Sequence, residues 1–187
     1  MEDFCNFNPD VLNPALSARP LWLLDIDGVI NAYAFKAYTS KKNLYPDLTK
    51  YSVPNANRTI YTFWTSPTLM QQITELHDSG LVEIAWLTTW TYDANAIVAP
   101  ILGLPEFPVV ADSGGRFSDY YWKTRTAVEA LTQHRPIIWT DDDAITSEAR
   151  YDYEASDVPN LMIEPKPNQG ITPASMDAII EFILNAH

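Results

Sequence analysis

Residues 21–30, Leu-Trp-Leu-Leu-Asp-Ile-Asp-Gly-Val-Ile, constrain the fold more than any other stretch of this chain. A short apolar run without a charge ends in two carboxylates that flank one isoleucine, and a glycine follows. Such a run reads as a strand covered on both faces, as in the middle of a parallel sheet. Alternation along the strand sends Asp25 and Ile26 to opposite faces. A turn beginning at Asp27-Gly28 lets both carboxylates converge beyond the strand's carboxyl end, where open α/β sheets place their ligands. Two adjacent carboxylates with no local cation repel, which suggests a hard divalent cation between them. A calcium loop of the EF-hand type does not account for the pair, because that loop needs a bidentate Glu at position 12 and Lys36 stands there.

The remaining chain alternates strand and helix signals. Residues 1–19 read as an outer N-terminal arm with a short helical turn near 11–16. Residues 31–66 predict a β-hairpin flap, with β-type runs at 34–39 and 59–64 and turn signals at Asn43, Pro46-Asp47 and Pro54-Asn55. Ser66-Pro67 is a helix start, followed by Leu69, Ile73 and Leu76 at helical spacing, and Gly80 is the stop. Strands are expected at 81–87, 105–110, 136–139 and 160–163. Helices are expected at 93–102, 122–133 (Ala127, Val128 and Leu131 inward) and 174–185 (Met176, Ile179, Ile180 and Ile183 inward). The acidic stretch after Asp143 reads as irregular, with Asp143 as a helix cap. This order predicts one α/β domain over 1–187, with a mainly parallel central sheet in a Rossmann-like three-layer sandwich.

Composition narrows the function. With 187 residues the chain is long enough for one good core. Twenty-four acids against twelve bases give a net charge of −12, which argues against avid non-specific binding to nucleic acid or to anionic membranes. Lys36, Lys41, Lys42, Lys50 and Arg58 are five of those twelve bases and fall within the flap, where they suit a phosphorylated ligand or, equally, a solvated hairpin. No apolar run approaches the ~18 residues of a membrane span, and the N-terminus lacks signal-peptide features, so a cytoplasmic protein is expected. Cys5 is incidental, and His77, His134 and His187 have no zinc-ligand spacing. Trp22, Trp86 and Trp139 lie within strands and are assigned to the core, which is also the better reading for Trp90 and Trp122.

Asp25-x-Asp27-Gly28-Val29 after an apolar strand resembles the first motif of the haloacid dehalogenase (HAD) superfamily, most of whose members are Mg²⁺-dependent phosphohydrolases. Ile84-Ala85-Trp86-Leu87-Thr88, Lys123 and Ile137-Ile138-Trp139-Thr140-Asp141-Asp142 are similar to its second, third and fourth motifs, in the same order. The resemblance covers roughly residues 21–145. It implies Asp25 as nucleophile, Asp27 as general acid and base, and Thr88 and Lys123 as phosphoryl-binding catalytic groups. It also implies Mg²⁺ held by Asp25, the Asp27 backbone carbonyl, Asp141 and Asp142, the last orienting ligand or metal-bound water. Thr89, Trp90 and Asn95 are the candidate substrate contacts. Either threonine of the Thr88-Thr89 pair could instead only cap the next helix, and Asn95 could cap locally.

Asp27 favours phosphoryl chemistry, because the superfamily's dehalogenases lack the second Asp. The small insertion at 31–66 implies an open site. Trp86-x-Thr88-x-Trp90, Asp93-Ala94-Asn95 and Trp139-x-Asp141-Asp142-Asp143 are similar to small HAD domains of bacteria and phages associated with RNA repair. The expected activity is hydrolysis of a phosphomonoester, a small metabolite or nucleotide, through an aspartyl-phosphate. The alternatives are a phosphatase acting on nucleic-acid ends and a non-catalytic binding module of the same fold; no protein partner is expected.

Overall fold

The computed structural model describes residues 6–12, 19–36, 39–40, 42–112 and 121–186. In chain order the strands are β1 (Asn6–Phe7), β2 (Leu21–Leu24), β3 (Thr49–Pro54), β4 (Ile60–Thr65), β5 (Glu83–Trp86), β6 (Ala111–Asp112), β7 (Ile137–Thr140) and β8 (Asn160–Ile163). The α-helices are α1 (Pro9–Leu12), α2 (Pro67–Ser79), α3 (Ala99–Leu102), α4 (Trp122–Leu131), α5 (Ser147–Ala155) and α6 (Pro173–Asn185). A π-helical turn, Ala94–Val98, runs directly into α3 where one helix over 93–102 is expected.

The central sheet has four parallel strands in the order β5-β2-β7-β8. Every residue of β2 is 0 % exposed, which is why the segment carries no polar alternation. Alternate residues supply two separate cores. Trp22, Leu24, Ile84, Trp86 and Ile138 face one side with Leu69 and Ile73 of α2 and Met176, Ile179 and Ile183 of α6. Leu21, Leu23, Ala85, Ile137 and Trp139 face the other, with Ala127 and Leu131 of α4 and Ala149 and Tyr153 of α5. Helices therefore cover both faces of a parallel sheet, an α/β layering compatible with a Rossmann-like fold. The three strand tryptophans are fully buried, as expected from their positions.

Local signals explain most helix ends. The Ser66 hydroxyl accepts from Leu69 N–H, Pro67 opens α2, and Gly80 closes it in the left-handed conformation (φ 68°). Thr172 caps α6 in the same way through Ser175 N–H. Leu76, Val128 and Ile180 are only partly buried and pack against the edges of the two cores.

Four expectations are corrected. The hairpin pairs β3 with β4, so its first strand lies at Thr49–Pro54 and not at 34–39, of which residues 37 and 38 lie outside the described residues. Asn55 makes the hairpin turn, accepting from Arg58 N–H with its carbonyl and from Thr59 N–H with its side chain, while Arg58 takes φ 63°. The strand expected at 105–110 shrinks to a parallel bridge beside β5, where Trp86 N–H donates to Pro108 O and Val110 N–H to Trp86 O. The acidic stretch after Asp143 contains α5, whose cap is Thr146 and not Asp143. In the N-terminal arm the helix is Pro9–Leu12; the rest of the turn expected at 11–16 lies outside the described residues.

Arg135, 2 % exposed, fastens that arm to the sheet. Its guanidinium donates to the backbone carbonyls of Val11 and Arg19 and to the Glu83 carboxylate, which satisfies a charge that would otherwise be costly to bury.

Candidate active site

The carboxyl ends of two neighbouring strands and the amino end of one helix deliver the charged groups. Asp25 directly follows β2 and Asp141 directly follows β7, side by side because β2 and β7 are paired in register and Asp25 N–H continues the ladder to Thr140 O. Lys123 is the second residue of α4. Its ammonium donates to Asp25 Oδ2 at 2.8 Å and to Asp141 Oδ2 at 2.9 Å, and all three residues are buried. Asp141 Oδ1 accepts from the backbone N–H groups of Asp143 and Ala144, which fixes the carboxylate in one orientation.

Asp142 enters from the loop after β7. Ligand oxygens of Asp25, Asp141 and Asp142 lie within 4.8 Å of one another. Gly28 (φ 74°) makes this approach possible, since a Cβ there would sit 2.0 Å from Asp142 Cγ. Among the described residues, three carboxylates face one ammonium, which leaves the cluster short of positive charge. Burial, helped by Asp141, therefore pushes Asp25 up to about 7 against the pull of Lys123. Burial and the neighbouring Asp143 and Asp141 likewise push Asp142 up to about 7, and Asp143 is raised by burial and Asp141. Lys123 is held above its ordinary value; burial opposes its charge but Asp25 and Asp141 outweigh burial.

Asp27 is served differently. Asn31 Nδ2 donates to its Oδ1 at 2.7 Å and Trp90 Nε1 to its Oδ2 at 2.9 Å. Asn31 Oδ1 in turn accepts from Trp64 N–H in β4, and the Trp90 ring meets Tyr61 and Phe63 edge-on at centroid distances of 5.4 and 5.5 Å. Two uncharged donors thus tie this carboxylate to the hairpin.

A cleft of about 390 Å³ opens over the cluster, lined among others by Asp25, Asp27, Thr89, Lys123, Asp142 and Tyr33. Tyr33 is half exposed, and its hydroxyl is raised by burial and by the acids around it. Among the sequence-derived candidates, Asp25, Asp27, Lys123, Asp141 and Asp142 gather here. Thr89 lines the cleft, whereas Thr88 is enclosed and its hydroxyl accepts from Trp90 N–H at 3.4 Å. Trp90 reaches the site through its indole N–H, and Trp122 lines the cleft beside Lys123.

Asn95 departs from its expected place as a substrate contact. Its Oδ1 accepts from Trp86 Nε1 and Phe107 N–H and its Nδ2 donates to Phe107 O, so the amide pins the 104–108 loop to β5. Of the two readings of the flap cations, the solvated hairpin fits: Lys36, Lys42, Lys50 and Arg58 are exposed and none lines the cleft, while Lys41 lies outside the described residues. Gly28 makes the turn expected at Asp27-Gly28, whereas Asn31 is a site residue that the sequence reading does not single out. Only the spacing of Asn31, four residues after Asp27, hinted at its role.

No protein-family model, no curated protein and no solved structure matches this chain. Among the described residues no helix is long and apolar enough to cross a membrane.

Proposed function

We propose that this protein is a Mg²⁺-dependent phosphatase of the HAD type, hydrolysing a phosphomonoester through a phosphorylated Asp25. The observation that carries the reading is the convergence of Asp25, Asp141 and Asp142 with Lys123 at adjacent strand ends. The donor set is all oxygen and, among the described residues, sets three carboxylates against the one Lys123 ammonium, which fits a hard divalent cation of the Mg²⁺ class. When bound, Mg²⁺ supplies charge that lets an anionic phosphoryl group approach the carboxylates.

Lys123 holds Asp25 Oδ2, leaving Oδ1 for in-line attack on phosphorus. The new Oδ1–P bond forms as the bond from phosphorus to the leaving oxygen breaks, and that oxygen takes the proton of Asp27. Water then attacks the same phosphorus and gives its proton to Asp27. The acyl O–P bond breaks, which restores Asp25 and releases inorganic phosphate. Asn31 and Trp90 keep the Asp27 carboxylate aimed throughout, and Lys123 balances charge on the phosphoryl oxygens.

The test is phosphate release from an aryl phosphate with and without Mg²⁺, comparing the native protein with Asp25→Asn. Metal-dependent turnover that falls at least about 10⁴-fold in the variant supports the reading. Turnover that survives in Asp25→Asn, or an absence of Mg²⁺ binding, overturns it.

A further inference from the structure

A second cleft, of about 350 Å³, lies against the first. The two share Asp27, Tyr61 and Thr89, so the carboxylate assigned as general acid stands at their junction. Beyond it the second cleft is walled by Asn55 and Asn57 of the hairpin turn and by Trp90, Thr91 and Asp93 of the loop after β5. Asp93 Oδ2 accepts from Ala56 N–H at 3.2 Å, joining the two walls.

We propose that this second cleft is the leaving-group subsite, and that it takes an uncharged, flat, hydrogen-bonding group of the nucleoside kind carrying a single phosphate. The inference rests on the phosphatase reading for the identity of the first cleft. Geometry supplies the first argument. A general acid must lie within hydrogen-bond reach of the leaving oxygen, the atom that joins phosphorus to the leaving group, and Asp27 lines both the charged cleft and this one.

Charge supplies the second. The first cleft holds Lys123 and the cation-binding carboxylates, whereas the described residues lining the second include Asp27 and Asp93 and no Lys or Arg. A second phosphate would there meet like charge without compensation, which is how a site rejects a competing ligand. Surface chemistry supplies the third. Tyr61 is 45 % exposed and edge-on to Trp90, so it offers a flat face, and the Asn and Thr side chains offer donors and acceptors for a base edge or a ribose. A long polyanionic strand fits this wall poorly.

Two measurements test the subsite. The first is turnover with Mg²⁺ on a nucleoside monophosphate, the matching diphosphate and a 5′-phosphorylated oligonucleotide. The monophosphate is expected to exceed the other two by at least about tenfold in kcat/KM. Asn57→Lys, at an exposed turn position that leaves the Asp93–Ala56 contact in place, should raise the diphosphate-to-monophosphate ratio about fivefold. Preference for the diphosphate or the oligonucleotide overturns the proposal.

The second measurement needs no turnover. Backbone and indole amide resonances are followed while an unphosphorylated nucleoside is added to the full chain. Shifts confined to Asn57, Trp90 and Thr91, saturating in the millimolar range, support the subsite. Absence of such shifts, with aryl phosphate still hydrolysed, removes the subsite and leaves the phosphatase. Nucleoside binding without any phosphatase activity removes the catalytic reading and keeps the cleft as a nucleoside site.

Discussion

Asp25 and Asp27 are separated by one residue, yet they belong to different physical regimes. Asp25 is set by the sheet: a buried strand end, an ammonium at 2.8 Å and two further acids make its position a problem of charge. Asp27 is set by the hairpin and the loop after β5, through an amide and an indole that carry no charge, and its position is a problem of aim. Their difference shows that two carboxylates one residue apart can be held by separate donor sets, one charged and one uncharged. On the proposed reading, the first would bind and neutralise and the second would aim a proton carrier.

The comparison breaks most severely at Lys123. Lys123→Met leaves Asp25 and Asp141 buried without their shared cation, and it is expected to cost about 3–5 kcal/mol in metal-free protein. Urea denaturation with and without Mg²⁺ reads this, and Mg²⁺ should recover part of the loss. Gly28→Ala comes next. Its Cβ would collide with the Asp142 carboxylate and the backbone would be strained, so a cost of about 1–3 kcal/mol is expected. Mg²⁺ affinity, followed by calorimetry, should fall with it.

The aiming side should break more gently. Asn31→Ala frees Asp27 Oδ1 and the Trp64 N–H together, and kcat is expected to fall about 10–100-fold. Trp90→Phe keeps a ring against Tyr61 and Phe63 but removes the N–H, so a smaller loss of about tenfold is expected. In neither variant should Mg²⁺ affinity change; if it does, the two regions are not separate.

The same charge balance sets the pH dependence of stability without Mg²⁺. Asp25 and Asp142 are raised to about 7 in the fold from 3.8, so between those values the folded state binds more protons than the unfolded chain. Stability contributed by these groups is therefore present below about pH 4 and declines as pH rises towards 7. A series of melting temperatures should show that decline, and saturating Mg²⁺ should flatten it. A metal-free melting temperature that rises over the same window contradicts this charge balance.

Much of this was legible in the chain. The uncharged run Leu21–Leu24 can satisfy its backbone and its apolar side chains only between other strands and under two helical layers, so it announced a central parallel strand. Ser66-Pro67 and Gly80 marked α2 because capping and positive φ are local chemistry. The helix α5 was hidden because its buried residues, Ala149 and Tyr153, are few and its composition is polar. Misplacing the first hairpin strand had a similar cause: β-type composition at 34–39 is no weaker than at Thr49–Pro54, and pairing with β4 decides between them.

What the sequence determined by itself was an ordered set of strand ends bearing carboxylates, a later lysine and the parallel sheet that carries them. Tertiary structure decided which side chains meet: Lys123 between Asp25 and Asp141, Asp142 over Gly28, Asn31 bridging Asp27 to β4, and Asn95 diverted to Phe107. The reason is reach. Caps, turns and strand runs are settled within a few residues, whereas a hydrogen bond across 98 positions of sequence, as between Lys123 and Asp25, exists only once two layers have packed.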